Sequence, residues 1–247
     1  MIKISCVCPT HGRAHVIGEA IESYLRQEPV EVETELLILN DCPEQPIQCD
    51  APGVRVVNVP LMESVCAKFD AVVGMAQGEY VAWWEDDDIS LPWRLKRSIA
   101  YSELKDNYKQ RNAWYMCDNV IQKHGENLFF GNSLFRKADY INGGGAGVNG
   151  YPDQTAHISI MAEVYKRNGY YVMELASPYD IYFMYRWGGP VVHDSGFGAA
   201  HNDAAARNEL FRHRTLSNPE FRHGMQTIIP HWKHDYEGMA MEAAEKL

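Results

Sequence analysis

The stretch Tyr80-Val81-Ala82-Trp83-Trp84-Glu85-Asp86-Asp87-Asp88-Ile89-Ser90-Leu91-Pro92 constrains this chain most. A run of apolar and aromatic residues reads as a buried strand and leads directly into four acidic residues. Neighbouring carboxylates at a strand end repel one another, so something must offset the charge. A divalent cation held through oxygen ligands is one answer. A solvated acidic turn before the next helix is the other, since carboxylates suit the positive end of a helix dipole and Pro92 suits a first helical turn. The apolar strand favours the cation, because open α/β sheets bind ligands beyond the carboxyl ends of their strands.

The rest of the first half supplies such a sheet. Ile2 to Cys8 reads as a short buried strand, broken by Pro9-Thr10-His11-Gly12-Arg13. Val16, Ile17, Ala20, Ile21, Tyr24 and Leu25 recur at helical spacing. Leu36 to Leu39 is a second strand ending in Asn40-Asp41, and Val54 to Val59 is a third. Val65, Phe69, Val72, Val73 and Ala76 form a helical stripe with Gly78 as its stop. Strands alternating with helices predict an α/β fold, a mostly parallel sheet with helices on both faces. The strands are continuously apolar, as strands covered on both sides are. Neither G-x-G-x-x-G nor G-x-x-x-x-G-K-[ST] is present, which disfavours a dinucleotide-binding domain and a P-loop.

The second half is less regular. Trp93 to Tyr108 reads as a helix, and Trp114 to Asp118, Val120 to Lys123 and Ser133 to Arg136 as strands. Ile141 to Gly150 is too glycine-rich for either and reads as a loop. Asp153 to Asn168 returns to helical spacing, and Tyr170 to Leu175 and Ile181 to Trp187 read as strands. Between Arg207 and His234, five Lys or Arg stand against two Glu, with four histidines among them. That segment reads as an arm lying on the domain or as a cover over a phosphate-rich ligand.

Composition narrows the partners. A net charge of −10 argues against a general polyanion binder and suits a protein that recruits a cation to meet phosphate. No stretch reaches the ~20 apolar residues of a membrane span. The chain opens on a strand without a signal-peptide layout. The six cysteines form no C-x-x-C pair, so they read as reduced core thiols of a cytoplasmic protein, with Cys6 and Cys8 on one strand face.

Thr10 to Arg13, Asn40-Asp41 and Glu85 to Asp88 all follow strand ends, so a parallel sheet brings them to one edge. A carboxylate-held cation beside an aspartate that can hydrogen-bond a base or ribose describes a nucleotide-diphosphate site. At this point the chain resembles glycosyltransferase family 2. Cys8-Pro9-Thr10-His11-Gly12-Arg13 is similar to that family's P-T-x-x-R opening, and Leu39-Asn40-Asp41-Cys42-Pro43 to its D-D-G-S segment, with Asn40 for the first Asp. Lys68-Phe69-Asp70-Ala71 and Ala76-Gln77-Gly78-Glu79-Tyr80-Val81 resemble its helix-to-strand passage, and Glu85 to Asp88 fall where it carries a D-x-D metal motif. The match in order and spacing spans roughly residues 2–100.

The resemblance implies a GT-A fold and a role for each matching position. Pro9, Thr10, His11 and Arg13 would border the nucleotide. Asn40 would lie beside it, and Asp41 would hydrogen-bond the base, with uracil expected. Lys68 would sit near the base or phosphates, and Asp86 near ribose or metal. Asp87 would contact the cation, Mn2+ or Mg2+, with Glu85 and Asp88 beside it. Gly131 to Arg136 resembles the acceptor-side strand. Asp153 falls where the family carries its catalytic base; as an N-terminal helix residue it also suits a cap. His193, with His201 as the second choice, fits a late metal-binding histidine, and Arg186 a diphosphate-binding arginine.

These readings describe a metal-dependent inverting glycosyltransferase taking a UDP-sugar. A GT-A domain would occupy 1–200, with its nucleotide-sugar half at 1–100 and its acceptor half at 101–200. A helical extension would occupy 201–247. The acceptor would be a glycan, a small molecule or a modified nucleobase in DNA; the last follows from a likeness of the Trp84 to Asp88 spelling to soluble, often phage-borne members. A nucleotidyltransferase and a non-catalytic sugar-nucleotide or glycan-binding module remain as alternatives.

Overall fold

The computed structural model describes residues 3–102, 108–125, 129–147, 152–170, 176–186, 209 and 212–247. The first half follows the expected alternation: β1 (Lys3–Thr10), α1 (Ile17–Leu25), β2 (Glu33–Asn40), β3 (Ile47–Gln48), β4 (Val54–Asn58), α2 (Val65–Met75) and β5 (Tyr80–Trp83). Then come β6 (Ile89–Ser90), α3 (Arg94–Ser102), β7 (Trp114–Cys117), β8 (Val120–His124), β9 (Leu134–Arg136), α4 (Lys137–Asn142) and α5 (Pro152–Asn168). The described chain closes with β10 (Phe183–Arg186), β11 (Gln226–Thr227) and α6 (Tyr236–Glu245).

The central sheet runs β4-β2-β1-β5-β9. Its first four strands are parallel, and β9 joins β5 antiparallel. Strand pleating sends successive side chains to opposite faces. Ile4, Cys6 and Cys8 therefore join Leu36, Ile38, Ala82 and Trp84 under α1 and α3. Val7, Leu37, Leu39, Val81 and Trp83 join the α2 and α5 side chains Phe69, Val72, Ile160 and Val164 on the other face. Both sides of the sheet are covered, which is why its strands carry no polar alternation. A second sheet, β6-β10-β7-β8, buries Trp114, Met116 and Phe183 against Tyr236, Ala240 and Ala244 of α6.

Four local readings need correction. Pro92 stands in the turn before α3, which begins at Arg94, because Leu91 and Trp93 still close turn hydrogen bonds there. The segment before the glycine run holds a helix, α4, followed by turns at Gly143 to Ala146. The C-terminal segment is only partly helical: residues 212–216 are helical, but β11 pairs in parallel with β3 inside the loop that follows β2. Gly78 does not end α2 through a left-handed turn. A methyl there would lie 2.6 Å from Ser5 N and 2.7 Å from Lys3 O, so glycine admits close passage of the β1 backbone. Gly78→Ala is therefore expected to cost about 1–3 kcal/mol by overpacking, read as a lower denaturation midpoint with an unchanged slope. The expected strand at Tyr170 to Leu175 lies mostly outside the described residues.

Candidate active site

The three polar strand ends converge. Thr10 closes β1 and donates its hydroxyl to Asp86 at 2.6 Å. Arg13, on the turn after β1, donates from Nη1 to Asp86 at 2.6 Å and to Asp87 at 2.8 Å. Asp86, Asp87 and Asp88 are all buried. That burial excludes the solvated-turn reading of the acidic run. The chain supplies part of the missing positive charge itself: Asp86 and Asp87 hold the Arg13 guanidinium charged against the penalty of its burial.

The remaining acids carry the strain of the cluster. Burial pushes the Glu85 carboxyl well above the usual carboxylate range, and the charges of Asp153 and Asp88 push the same way. Glu85 accepts from the Trp83 indole N–H at 2.8 Å. Burial and Asp87 likewise push Asp88 up, although its Oδ1 accepts from Arg186 N at 2.8 Å. Asp153 thus acts electrostatically on Glu85 from the first turn of α5, where it is exposed. It also helps to push up the wholly buried Tyr108 phenol, behind the larger effect of burial. Tyr108 in turn meets His157 Nδ1 at 2.9 Å, one turn beyond Asp153.

Beside the acids lies a second cluster. His11 Nδ1 is 2.8 Å from Asp41 Oδ1, and Lys68 Nζ donates to the same oxygen at 2.8 Å and to the Thr10 carbonyl at 3.3 Å. Burial raises the Asp41 pKa, but His11 and Lys68 outweigh it and hold the carboxyl below its ordinary value. These three side chains line a cavity of about 440 Å³. Among the described residues, Leu61 to Val65 and, from the C-terminal arm, Glu209 and Arg212 also line it. The cavity is therefore part apolar and part charged.

Other expected residues take framing positions. Pro9 lies within β1 opposite Leu39. Asn40 donates to the Gln45 carbonyl at 2.8 Å and to Asn58 at 2.9 Å, which holds the loop after β2 in shape. The Arg186 side chain donates to the Asp87 carbonyl and, at 2.6 Å, to Glu19. His193 and His201 lie outside the described residues.

Two important side chains escaped the sequence reading. Glu19 is wholly buried and gathers Arg186, the Tyr236 hydroxyl at 2.6 Å and Lys233 N at 3.1 Å. An acid flanked by the buried stripe residues Ile17, Ala20 and Ile21 was the available signal. Arg94 donates to Ser90 Oγ at 2.6 Å, to the Gly131 carbonyl at 3.0 Å and to the Trp83 carbonyl. Its guanidinium sits 4.5 Å from the Trp84 ring centre. Burial lowers its pKa to about 10. No local pattern marks an arginine that braces a strand end from a helix.

The acid run offers hard oxygen donors, the donor type that Mn2+ and Mg2+ prefer. Two of its carboxyls are pushed toward protonation, so a cation would relieve their repulsion. Among the described residues, no three His, Cys, Asp or Glu side chains form a ready ligand group, and Arg13 bridges two of the carboxylates. The donor chemistry fits a divalent cation, which would have to share those oxygens with Arg13.

A mostly parallel sheet with charged clusters at its carboxyl edge, one of them lining a cavity, defines an α/β protein with a candidate ligand site at that edge. The family model for glycosyl transferase family 2 matches residues 5–149, more than half of the chain. The chain belongs to glycosyl transferase family 2. An Escherichia coli (strain K12) protein named as a colanic acid biosynthesis glycosyl transferase, WcaA, is 31% identical over 146 residues, covering 56% of this chain and 50% of that one. The chain thus spans about half the length of that relative. S. aureus TarS 1–349 in complex with UDP-GlcNAc aligns with a TM-score of 0.59 at 12% identity, covering 88% of this chain and 68% of that one. The mannosyltransferase PcManGT from Pyrobaculum calidifontis, in complex with GDP-Man and Mn2+, aligns at 0.53 with 11% identity, covering 74% and 56%. These solved structures establish the GT-A fold expected from the sequence. No described helix is long and apolar enough to cross a membrane.

Proposed function

We propose that this glycosyltransferase moves a sugar from a UDP-sugar to an acceptor hydroxyl, with inversion at the anomeric carbon and with a divalent cation at the acid run. The observation that carries the reading is the joining of two clusters by one turn. Thr10 and Arg13 meet the acids, while His11 between them meets Asp41 in the cavity. The base would then bind in the cavity beside Asp41, and the diphosphate would run from the mouth of that cavity over the turn to the acid run. The complexes of TarS with UDP-GlcNAc and of PcManGT with GDP-Man and Mn2+ support a nucleotide-sugar donor and a metal.

In this reading Asp41 accepts a hydrogen bond from the base, and Lys68 keeps that carboxylate ionised and oriented. Asp87, with Asp86, Glu85 and Asp88 around it, would hold the cation, whose chemistry here is Lewis-acid stabilisation of the diphosphate leaving group. Asp153 takes the proton from the acceptor hydroxyl as its oxygen bonds to the anomeric carbon. The bond from that carbon to the diphosphate oxygen breaks, and the electron pair leaves on UDP. The exposure of Asp153 suits this task, because an acceptor can reach it. A glycan hydroxyl is the acceptor best supported, by the relative named for colanic acid biosynthesis and by the net charge of −10, which disfavours DNA.

Calorimetric titration with UDP- and GDP-sugars, with and without Mn2+, tests the donor. One donor should bind in a metal-dependent way. Asp153→Asn should bind that donor as tightly as the wild type yet transfer it about 10²–10⁴ times more slowly, the usual weight of a general base. Full turnover by that variant would remove Asp153 from the mechanism. Release of free pyrophosphate would indicate nucleotidyl transfer instead.

A further inference from the structure

The cavity beside Asp41 is completed by a part of the chain outside the residues that the family model matches. That model ends at residue 149, whereas Glu209 and Arg212 line the cavity. Their placement has several anchors. β11 pairs in parallel with β3, in the loop that follows Asp41. Gly224 N donates to the Glu44 carbonyl at 2.8 Å. The Gln45 side chain accepts from Ala14 N at 2.9 Å and donates to the Arg222 carbonyl at 2.8 Å, so it ties the turn after β1, the loop after β2 and the arm together. Thr215 and Phe221 press on Gly12, whose φ is +65°; a methyl there would stand 2.5 Å from Thr215 Cγ2 and 2.9 Å from Phe221 Cε2. The arm is thus seated directly on the turn that joins the two clusters.

We infer that this arm forms a wall of the nucleotide site and that Arg212 binds a phosphate of the donor. The inference rests on reading the cavity as the nucleotide site. Lys68, which lines the cavity, spends its charge on Asp41 inside the protein. Arg212 meets Glu44 at 2.8 Å, and its side chain is 45% exposed. Such a rim pair is held weakly, since solvent screens it. A phosphate offers the guanidinium a stronger, two-pronged partner, so exchanging the Glu44 carboxylate for phosphate costs little. Glu44 then acts as a stand-in anion for Arg212 until the nucleotide arrives.

Titration of UDP into wild type, Arg212→Ala and Glu44→Gln tests this. Arg212→Ala should raise the UDP Kd about tenfold or more, the size of a lost charged hydrogen bond. Its binding should also depend less on salt than that of the wild type. Glu44→Gln breaks the same ion pair but leaves the guanidinium, so it should bind UDP as tightly as the wild type or more tightly. Equal weakening in both variants would mean that the pair is only structural and would overturn the inference, as would wild-type affinity in Arg212→Ala. If wild type itself binds no nucleotide, the reading of the cavity fails before Arg212 is judged.

Discussion

Asp87→Ala is expected to fold and yet to lose transfer by about a thousandfold, with the metal response of donor binding gone. The loss follows from the position of the carboxylate. Asp87 stands in the middle of the acid run and shares the Arg13 guanidinium with Asp86. Removing it would take away a central oxygen donor of the proposed cation site. Folding survives because Arg13 keeps Asp86 at 2.6 Å, so no buried guanidinium is stranded. The variant also relieves repulsion, since Asp87 is one of the charges that push Glu85 and Asp88 up.

A pH signature would accompany the proposed cation. The folded-state values of Glu85 and Asp88 are raised, so the unfolded chain releases these protons first. Without a cation, their contribution to stability is best below the ordinary carboxylate range and worsens as pH rises above about 4. Mn2+ competes with protons for these oxygens. The rise in Tm on adding Mn2+ should therefore grow between mildly acidic and neutral pH in wild type and be much smaller in Asp87→Ala. A metal-induced rise that ignored both pH and Asp87 would place the cation elsewhere.

Much of this was legible in the sequence because it is local. The apolar runs Leu36 to Leu39 and Tyr80 to Trp84 announce strands covered on both faces, and the polar residues at their ends announce the site edge. Chain order alone then brings Thr10, Asp41 and Asp86 together, because parallel strands share that edge. What was not legible depends on distant partners. Asn40 occupies the place of a family aspartate but holds the loop through Gln45 and Asn58, a role set by chain segments it meets only in the fold. The resemblance makes Arg186 a diphosphate ligand, yet its guanidinium is drawn to a glutamate on the first helix, 167 positions away. Short strands such as Ile47–Gln48 carry no periodicity at all; they exist because the arm supplies Gln226 and Thr227 beside them.

Glu19→Ala should be the most destabilising single change outside the hydrophobic core, at about 3–5 kcal/mol, because it breaks a buried ion pair by removing one partner. At roughly 2–4 °C per kcal/mol for a chain of this size, Tm falls by about 10 °C. Glu19 is wholly buried, and its loss leaves Arg186, the Tyr236 hydroxyl and Lys233 N without their shared acceptor. Tyr236→Phe deletes only one donor and should cost about 1 kcal/mol, the net value of one hydrogen bond. The sign of the pH effect is opposite to that of the acid run. Burial alone would raise the Glu19 pKa, but Arg186 and the Tyr236 hydroxyl carry it below the ordinary value. Its contribution is therefore complete above about pH 4.3 and is lost as pH falls through the lower folded-state value. Glu19→Gln should accordingly flatten the acid limb of the stability curve while leaving the metal response at neutral pH in place. A second consequence reaches the site. Arg186 donates its backbone N–H to Asp88 and its side chain to the Asp87 carbonyl, while Lys233 belongs to the arm and Tyr236 opens α6. One buried carboxylate thus ties the acid run to the arm. Glu19→Ala should weaken both Mn2+ and UDP binding, whereas Arg212→Ala weakens UDP alone. Measuring the two affinities in the two variants separates a bolt that holds the site together from a residue that touches the ligand.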